Sequence, residues 1–170
     1  MPDAIWSPLA VGGLLLATGL IGLLAGQPWL FPSLGPTALI QAEEPGKPAS
    51  RFYNTVVGHL VGLGAGFLAA WLFVDAGTPS VLADKELVAA RVWAAALSGA
   101  LTMLGLTLLK AQHPPAAATM LLVALGGIAP NWRGAGMVVA GVLIVASLGE
   151  GVRYLRREVF IAPGAPTGPQ

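Results

Sequence analysis

The sequence predicts an all-α membrane protein of four transmembrane helices plus two short proline-led half helices, arranged as two pseudo-symmetric repeats. Three observations predict it. The 170 residues are 55% hydrophobic and only 10% charged, with mean hydropathy +0.75, whereas a soluble domain carries about 25% charged residues. Four apolar runs approach or exceed the roughly 20 residues that a helix needs to cross a bilayer core of about 30 Å. Two shorter apolar runs, each opened by proline, lie between the long ones.

The first span covers about Ile5 to Gly26 without a charge. Pro8 lies in its first turns, where it is tolerated. It reads as a transmembrane helix rather than a signal peptide, because no Lys or Arg precedes the apolar run. Gln27-Pro28-Trp29 ends it at an interface, where Trp prefers to sit.

The first half helix is opened by Pro32-Ser33-Leu34-Gly35-Pro36-Thr37. Gln41 to Arg51 is charged and proline-rich and is expected to be an exposed loop. The second span covers about Tyr53 to Val74. Its Gly58, Gly62 and Gly66 recur every fourth residue and form a smooth ridge for another helix. Asn54 and His59 are its polar residues, expensive in lipid and therefore expected to face the bundle interior.

Asp75 to Glu86 reads as a polar loop, and the third span as about Val88 to Leu109. Arg91 and Lys110 at its ends are expected to snorkel to the headgroups. Ala94, Ser98 and Thr102 give this span a small, weakly polar stripe. The second half helix follows Gln112-His113-Pro114-Pro115-Ala116 and ends at Gly126-Gly127. A run of about 12 residues gives about 18 Å of helix, too short to span. The fourth span covers Gly134 to about Tyr154, with Glu150 and Arg153 spaced for an interfacial pair.

Pro36 and Pro115 lie 79 residues apart, and each short run stands between two long ones. The transmembrane domain is therefore residues 1–157, with repeat one at about 1–76 and repeat two at about 84–157. Residues 158–170 form a tail that is disordered by composition. Repeats that meet at broken helices are a recurrent transporter design.

Orientation depends on whether the half helices return to the side they entered from. If they return, the Lys and Arg residues divide five against four. If they cross with help from their flanking segments, Lys47, Arg51, Lys110, Arg153, Arg156 and Arg157 share the termini's side against Lys85, Arg91 and Arg133. That arrangement also inverts the repeats. The positive-inside rule then puts both termini in the cytoplasm, with a bacterial inner membrane as the expected location.

The candidate ligand-binding residues are Ser33, Gly35, Pro36, Thr37, Asn54, His59, His113, Pro114, Pro115, Ala116 and Thr119. A helix N-terminus has unpaired N–H groups and the positive end of the dipole, so it favours anions. Hydroxyls, imidazoles and an amide add further donors. No Asp or Glu lies at mid-span, where a cation pathway normally carries acidic groups. With no mid-span Arg or Lys to meet a second charge, a small monovalent anion fits best. His113 is placed to change charge near neutral pH, and an arriving anion favours its protonated form. Each of these residues also has a local reading: His113 as a helix cap, His59 bonded to a neighbouring helix, Asn54 tying a loop, and the hydroxyls serving nearby backbone.

Other classes fit worse. A Ser33–His113 hydrolase pair lacks a Gly-x-Ser-x-Gly elbow and a third orienting carboxylate. No His-Glu-x-x-His is present, and two histidines without carboxylates make a poor zinc site. The chain has no cysteine, which excludes thiolate metal sites, and a net charge of +1 gives no basis for nucleic acid. Nothing in the sequence requires a cofactor. The expected partners are a small anion, membrane lipid and further copies of the chain, since four spans are few for a closed pathway. A non-transporting scaffold or regulatory subunit is the alternative function.

These residues resemble the HPP family of integral membrane proteins. The resemblance rests on His113-Pro114-Pro115, on Pro32-Ser33-Leu34-Gly35-Pro36-Thr37-Ala38, and on Asn54-Thr55-Val56-Val57-Gly58-His59 with Gly62 after it. The motifs come in the family's order and cover about residues 1 to 157. Arg51-Phe52-Tyr53 departs from the family's usual approach to Asn54, and Ala117 replaces a commoner glycine after the His-Pro-Pro motif. The resemblance implies four spanning helices. Cyanobacterial and chloroplast members are linked to nitrite transport, which the resemblance extends to this chain as an expectation.

Overall fold

A computed structural model describes residues 2–157. All of the described regular structure is helical. Four long helices, α1 (Asp3–Leu24), α3 (Phe52–Phe73), α5 (Ala89–Leu108) and α7 (Trp132–Leu155), are each long and apolar enough to cross a bilayer. Two short helices lie between them, α2 (Leu34–Glu43) and α6 (Ala116–Ala124), and a four-residue helix, α4 (Val81–Asp84), lies in the loop before α5. A single 3-10 turn at Pro48–Ser50 precedes α3. The expected tail at 158–170 lies outside the described residues.

The long helices begin and end close to where hydropathy puts them. Their terminators are local. At the end of α1, Gly26 takes φ 62° while Gly26 donates to Leu23 and Gln27 to Gly22. At the end of α5, Lys110 takes φ 51° with the equivalent bonds from Lys110 to Thr107 and Ala111 to Leu106. Both are left-handed caps that satisfy the last carbonyls of a helix.

Side-chain bonds establish which ends lie together. Trp6 Nε1 donates to the Ala42 carbonyl at 3.2 Å, Arg153 Nε to the Pro45 carbonyl at 2.7 Å, and Tyr53 Oη to the Leu109 carbonyl at 3.0 Å. The Phe52 amide donates to Glu150 at 2.6 Å, and Arg156 pairs with Asp3. One end of the bundle therefore gathers the starts of α1 and α3 and the ends of α2, α5 and α7. At the other, Trp71 Nε1 donates to the Pro130 carbonyl at 3.3 Å and Ser80 Oγ to the Gly126 carbonyl at 2.9 Å. That end gathers the finish of α3 and α6 and the start of α5 and α7. The two short helices thus point to opposite ends.

The glycine ridge of α3 packs on α6. A Cβ on Gly62 would stand 2.5 Å from the Ala116 carbonyl oxygen, and one on Gly66 would stand 2.9 Å from Val123 Cβ. The two backbones touch at mid-helix, which only glycine permits. Ser98 on α5 donates to Met120 Sδ at 3.0 Å, so the polar stripe of α5 also faces α6.

Arg91 does not snorkel. It is buried, and its guanidinium donates to the carbonyls of Pro79, Thr78 and Ala124 at 3.0, 3.2 and 3.3 Å. One acceptor at the carboxyl end of α6 and two in the loop before α4 hold the cation in place of the headgroup region. Gln41, expected in an exposed loop, is instead in α2 and fully buried against Gly149 of α7.

Candidate functional site

Ser33 and Pro115 immediately precede the two short helices, and both take helical dihedrals, φ −73° with ψ −13° and φ −60° with ψ −17°. Proline at these entries presets φ and tightens the first turn. In α6, Ala116, Ala117 and Ala118 donate to the carbonyls of His113, Pro114 and Pro115 at 3.0 Å each. In α2, Leu34 donates to Phe31 at 3.0 Å and Gly35 to Pro32 at 3.4 Å, and Pro36 has no N–H to offer. The expectation of free N–H groups at both ends is therefore corrected: the tight turns consume them. Directional donors at this junction come from side chains.

Five of the predicted residues meet there. The His113 seat is provided by Gly58, where a Cβ would lie 2.6 Å from His113 Cβ. This brings the His113 ring edge-on to His59, one residue along α3, with ring centroids 4.8 Å apart and their Nε2 atoms 3.2 Å apart. His113 Nδ1 lies 2.7 Å from the Ala49 carbonyl, which accepts its hydrogen. Thr37 Oγ1 stands between the rings, 2.8 Å from His59 Nε2 and 3.3 Å from His113 Nε2, and 3.1 Å from the Ser33 carbonyl. His59 Nδ1 lies 2.6 Å from Thr119 Oγ1, whose hydroxyl shares a 2.8 Å hydrogen bond with that of Ser33. Ser33, Thr37, His59, His113 and Thr119 are all fully buried.

The remaining predicted residues frame this cluster. The Asn54 amide donates to the Gln112 carbonyl at 3.1 Å, tying the start of α3 to the strand of chain that delivers His113. Ala116 and Pro115 are buried, with the Ala116 carbonyl on Gly62. Pro36 and Pro114 are exposed, and Gly35 has no atom within 4 Å of a Cβ position.

Among the described residues, no charged side chain hydrogen-bonds or pairs with either ring, and no group of three His, Asp or Glu side chains gathers to hold a metal. The cluster is a buried set of hydroxyls and imidazoles between the positive ends of two helix dipoles. Such a set can donate to an anion or exchange a proton.

One participant, and one buried amide on α2, were not legible in the sequence. The Ala49 carbonyl carries no side-chain signature and sits in a stretch that reads as loop. Gln41 lies one turn beyond Thr37 on α2, and its amide has no hydrogen-bond partner.

Residues 1–159 match the family described as HPP, transmembrane region. No curated protein and no solved structure matches the chain.

Proposed function

We infer a transport function for this chain, which belongs to the HPP family of integral membrane proteins and is not an enzyme. The cargo is a small monovalent anion, with nitrite the leading candidate, and its movement is coupled to protons through His113.

The observation that carries this reading is the junction of α2 and α6. Two helices directed to opposite ends of the bundle begin at one buried cluster that holds donors and no acid. Both dipoles aim their positive ends at the same small volume. In a membrane such a junction attracts negative charge without a buried cation, as in transporters with broken helices. The neutral lining also sets the charge limit: dipoles and hydroxyls balance one negative charge more readily than two.

The same geometry supports six crossings. Residues 25–43 run from the end of α1 back to its start, the first half non-helical and the second half α2; residues 109–124 do the equivalent in the other direction. This reading makes α1–α3 and α5–α7 inverted repeats. The matching left-handed caps at Gly26 and Lys110 support it. It puts six Lys and Arg residues on the side of the termini against three on the other, which by the positive-inside rule is the cytoplasm in a bacterial inner membrane. Residues named above for ligand binding divide into donors (Ser33, Thr37, His59, His113, Thr119) and backbone shapers (Gly35, Pro36, Asn54, Pro114, Pro115, Ala116). A homo-oligomer in lipid completes the proposal.

Purified protein in sealed proteoliposomes tests it. Uptake of labelled nitrite above that of protein-free vesicles, under an inward proton gradient, is the expected result. No uptake of any small anion under any gradient contradicts it and favours the scaffold or regulatory-subunit reading.

A further inference from the structure

The atoms around the two imidazoles dictate where hydrogens sit. The Ala49 carbonyl only accepts, so His113 carries hydrogen on Nδ1 and the neutral ring has a bare Nε2. That bare nitrogen faces His59 Nε2 at 3.2 Å. Thr37 spends its hydrogen on the Ser33 carbonyl, so its oxygen at 2.8 Å and the bare His113 Nε2 at 3.2 Å are both acceptors facing His59 Nε2, and the neutral pair is satisfied when His59 carries its hydrogen there. His59 Nδ1 then accepts from Thr119 at 2.6 Å, so in this state Thr119, its hydrogen used, can only accept across its 2.8 Å contact with the rotatable Ser33 hydroxyl. Every hydrogen in the chain points inward.

A proton added from solvent changes this order. His59 becomes doubly protonated: Nε2–H still fills the gap to His113, and Nδ1–H now donates to Thr119. Thr119 turns its hydroxyl to Ser33, whose own hydrogen is released. Among the described residues no other acceptor hydrogen-bonds the Ser33 hydroxyl, since the Ser33 Oγ contact is with Thr119 alone. A buried O–H without an acceptor is costly, and an anion arriving at the start of α2 removes that cost.

We propose that His59 and His113 form one proton-binding unit, and that loading it reverses the Thr119–Ser33 hydroxyl chain so that Ser33 presents a free donor to the transported anion. Thr119 is then a positioning residue that passes the state of the rings to Ser33. The second half rests on the anion reading above; the first does not.

Among the described residues, none of the charged groups on the surrounding elements hydrogen-bonds either ring. They are Glu43 on α2; Glu44, Lys47 and Arg51 around the Ala49 turn; Arg91 on α5; Lys110 before His113; and Arg133, Glu150 and Arg153 on α7. α6 carries none. Neither ring is hydrogen-bonded or ion-paired to any of them, so the two rings and their hydroxyls determine the response.

Histidine side-chain nitrogen NMR on the full chain in lipid nanodiscs, titrated with acid, with and without nitrite, tests both halves. The expected result is one midpoint shared by His59 and His113. A tenfold preference of nitrite for the loaded unit raises that midpoint by about one pH unit at saturation. Thr119→Val abolishes the nitrite-induced shift, and Thr119→Ser, which keeps the hydroxyl, restores it. Rings that titrate with separate midpoints, or that take no proton before the protein unfolds, overturn the proton unit whatever nitrite does. A nitrite-induced shift that survives in Thr119→Val overturns the hydroxyl relay. Rings that titrate together but ignore nitrite in the wild type overturn the anion reading, and the Ser33 donor with it.

Discussion

Gly62→Ala is the substitution whose effect follows most directly from the packing. The new Cβ would lie 2.5 Å from the Ala116 carbonyl oxygen, 3.3 Å from its carbon and 3.5 Å from the Met120 nitrogen. All three are backbone atoms of α6, so no rotamer change relieves the contact. The first distance is roughly 1 Å short of an ordinary van der Waals contact, and α3 and α6 must separate by a comparable amount. Overpacking of this kind costs about 1–3 kcal/mol, while replacing glycine inside a helix returns about 1 kcal/mol. The net loss is about 2 kcal/mol at the upper end, expected here because the obstacle is backbone. Gly64→Ala is the control. It is on the same helix, two residues away, and its Cβ has no atom within 4 Å, so it keeps the helix gain without the clash. Thermal unfolding of the two purified variants in one detergent reads the difference directly. Gly62→Leu extends the series and should abolish the folded yield. A Gly62→Ala protein as stable as Gly64→Ala would refute the reasoning that α3 and α6 meet backbone to backbone.

Two further substitutions probe local energetics. Gln41→Met keeps the length of a fully buried side chain but removes two polar atoms that have no partner; stability in detergent should rise by about 1 kcal/mol, and a fall would show that the amide is satisfied in the folded protein. Lys110→Gly relieves a side chain held at φ 51° in the cap of α5, and a gain of about 1 kcal/mol is expected by thermal unfolding; an unchanged or lower stability would contradict the cap's strain.

Hydropathy and punctuation made the helices legible. The starts and ends of α1, α3, α5 and α7 fall within about two residues of expectation because the long, mainly apolar runs end near Gly26, Val74, Lys110 and Tyr154. The short helices were visible through their prolines. What the chain did not disclose is which groups meet, since that is decided by tertiary contact. The ridge Gly58-Gly62-Gly66 announced a close neighbour, but nothing named α6 as that neighbour. Arg91 reads as a snorkelling residue from its position near a span end, yet three carbonyls from two other segments capture it. The free amides expected at the short helices followed from the general rule for N-termini and failed because these prolines tighten the first turns. The two histidines were singled out separately; their direct approach depends on Gly58 leaving room for His113, a relation between residues 55 positions apart.

The measurement that bears most directly on the central claim is the initial rate of nitrite uptake into proteoliposomes, compared between wild type and His113→Gln over a range of external pH. Linkage requires that if an anion favours the protonated cluster, protons favour the anion. The wild-type rate should therefore rise as pH falls, while the His113→Gln rate should be nearly flat, because glutamine keeps a polar side chain but cannot titrate and removes the partner ring that completes the proton-binding unit with His59. Uptake by His113→Gln with the same pH profile as wild type would contradict the account and leave His113 as a structural cap.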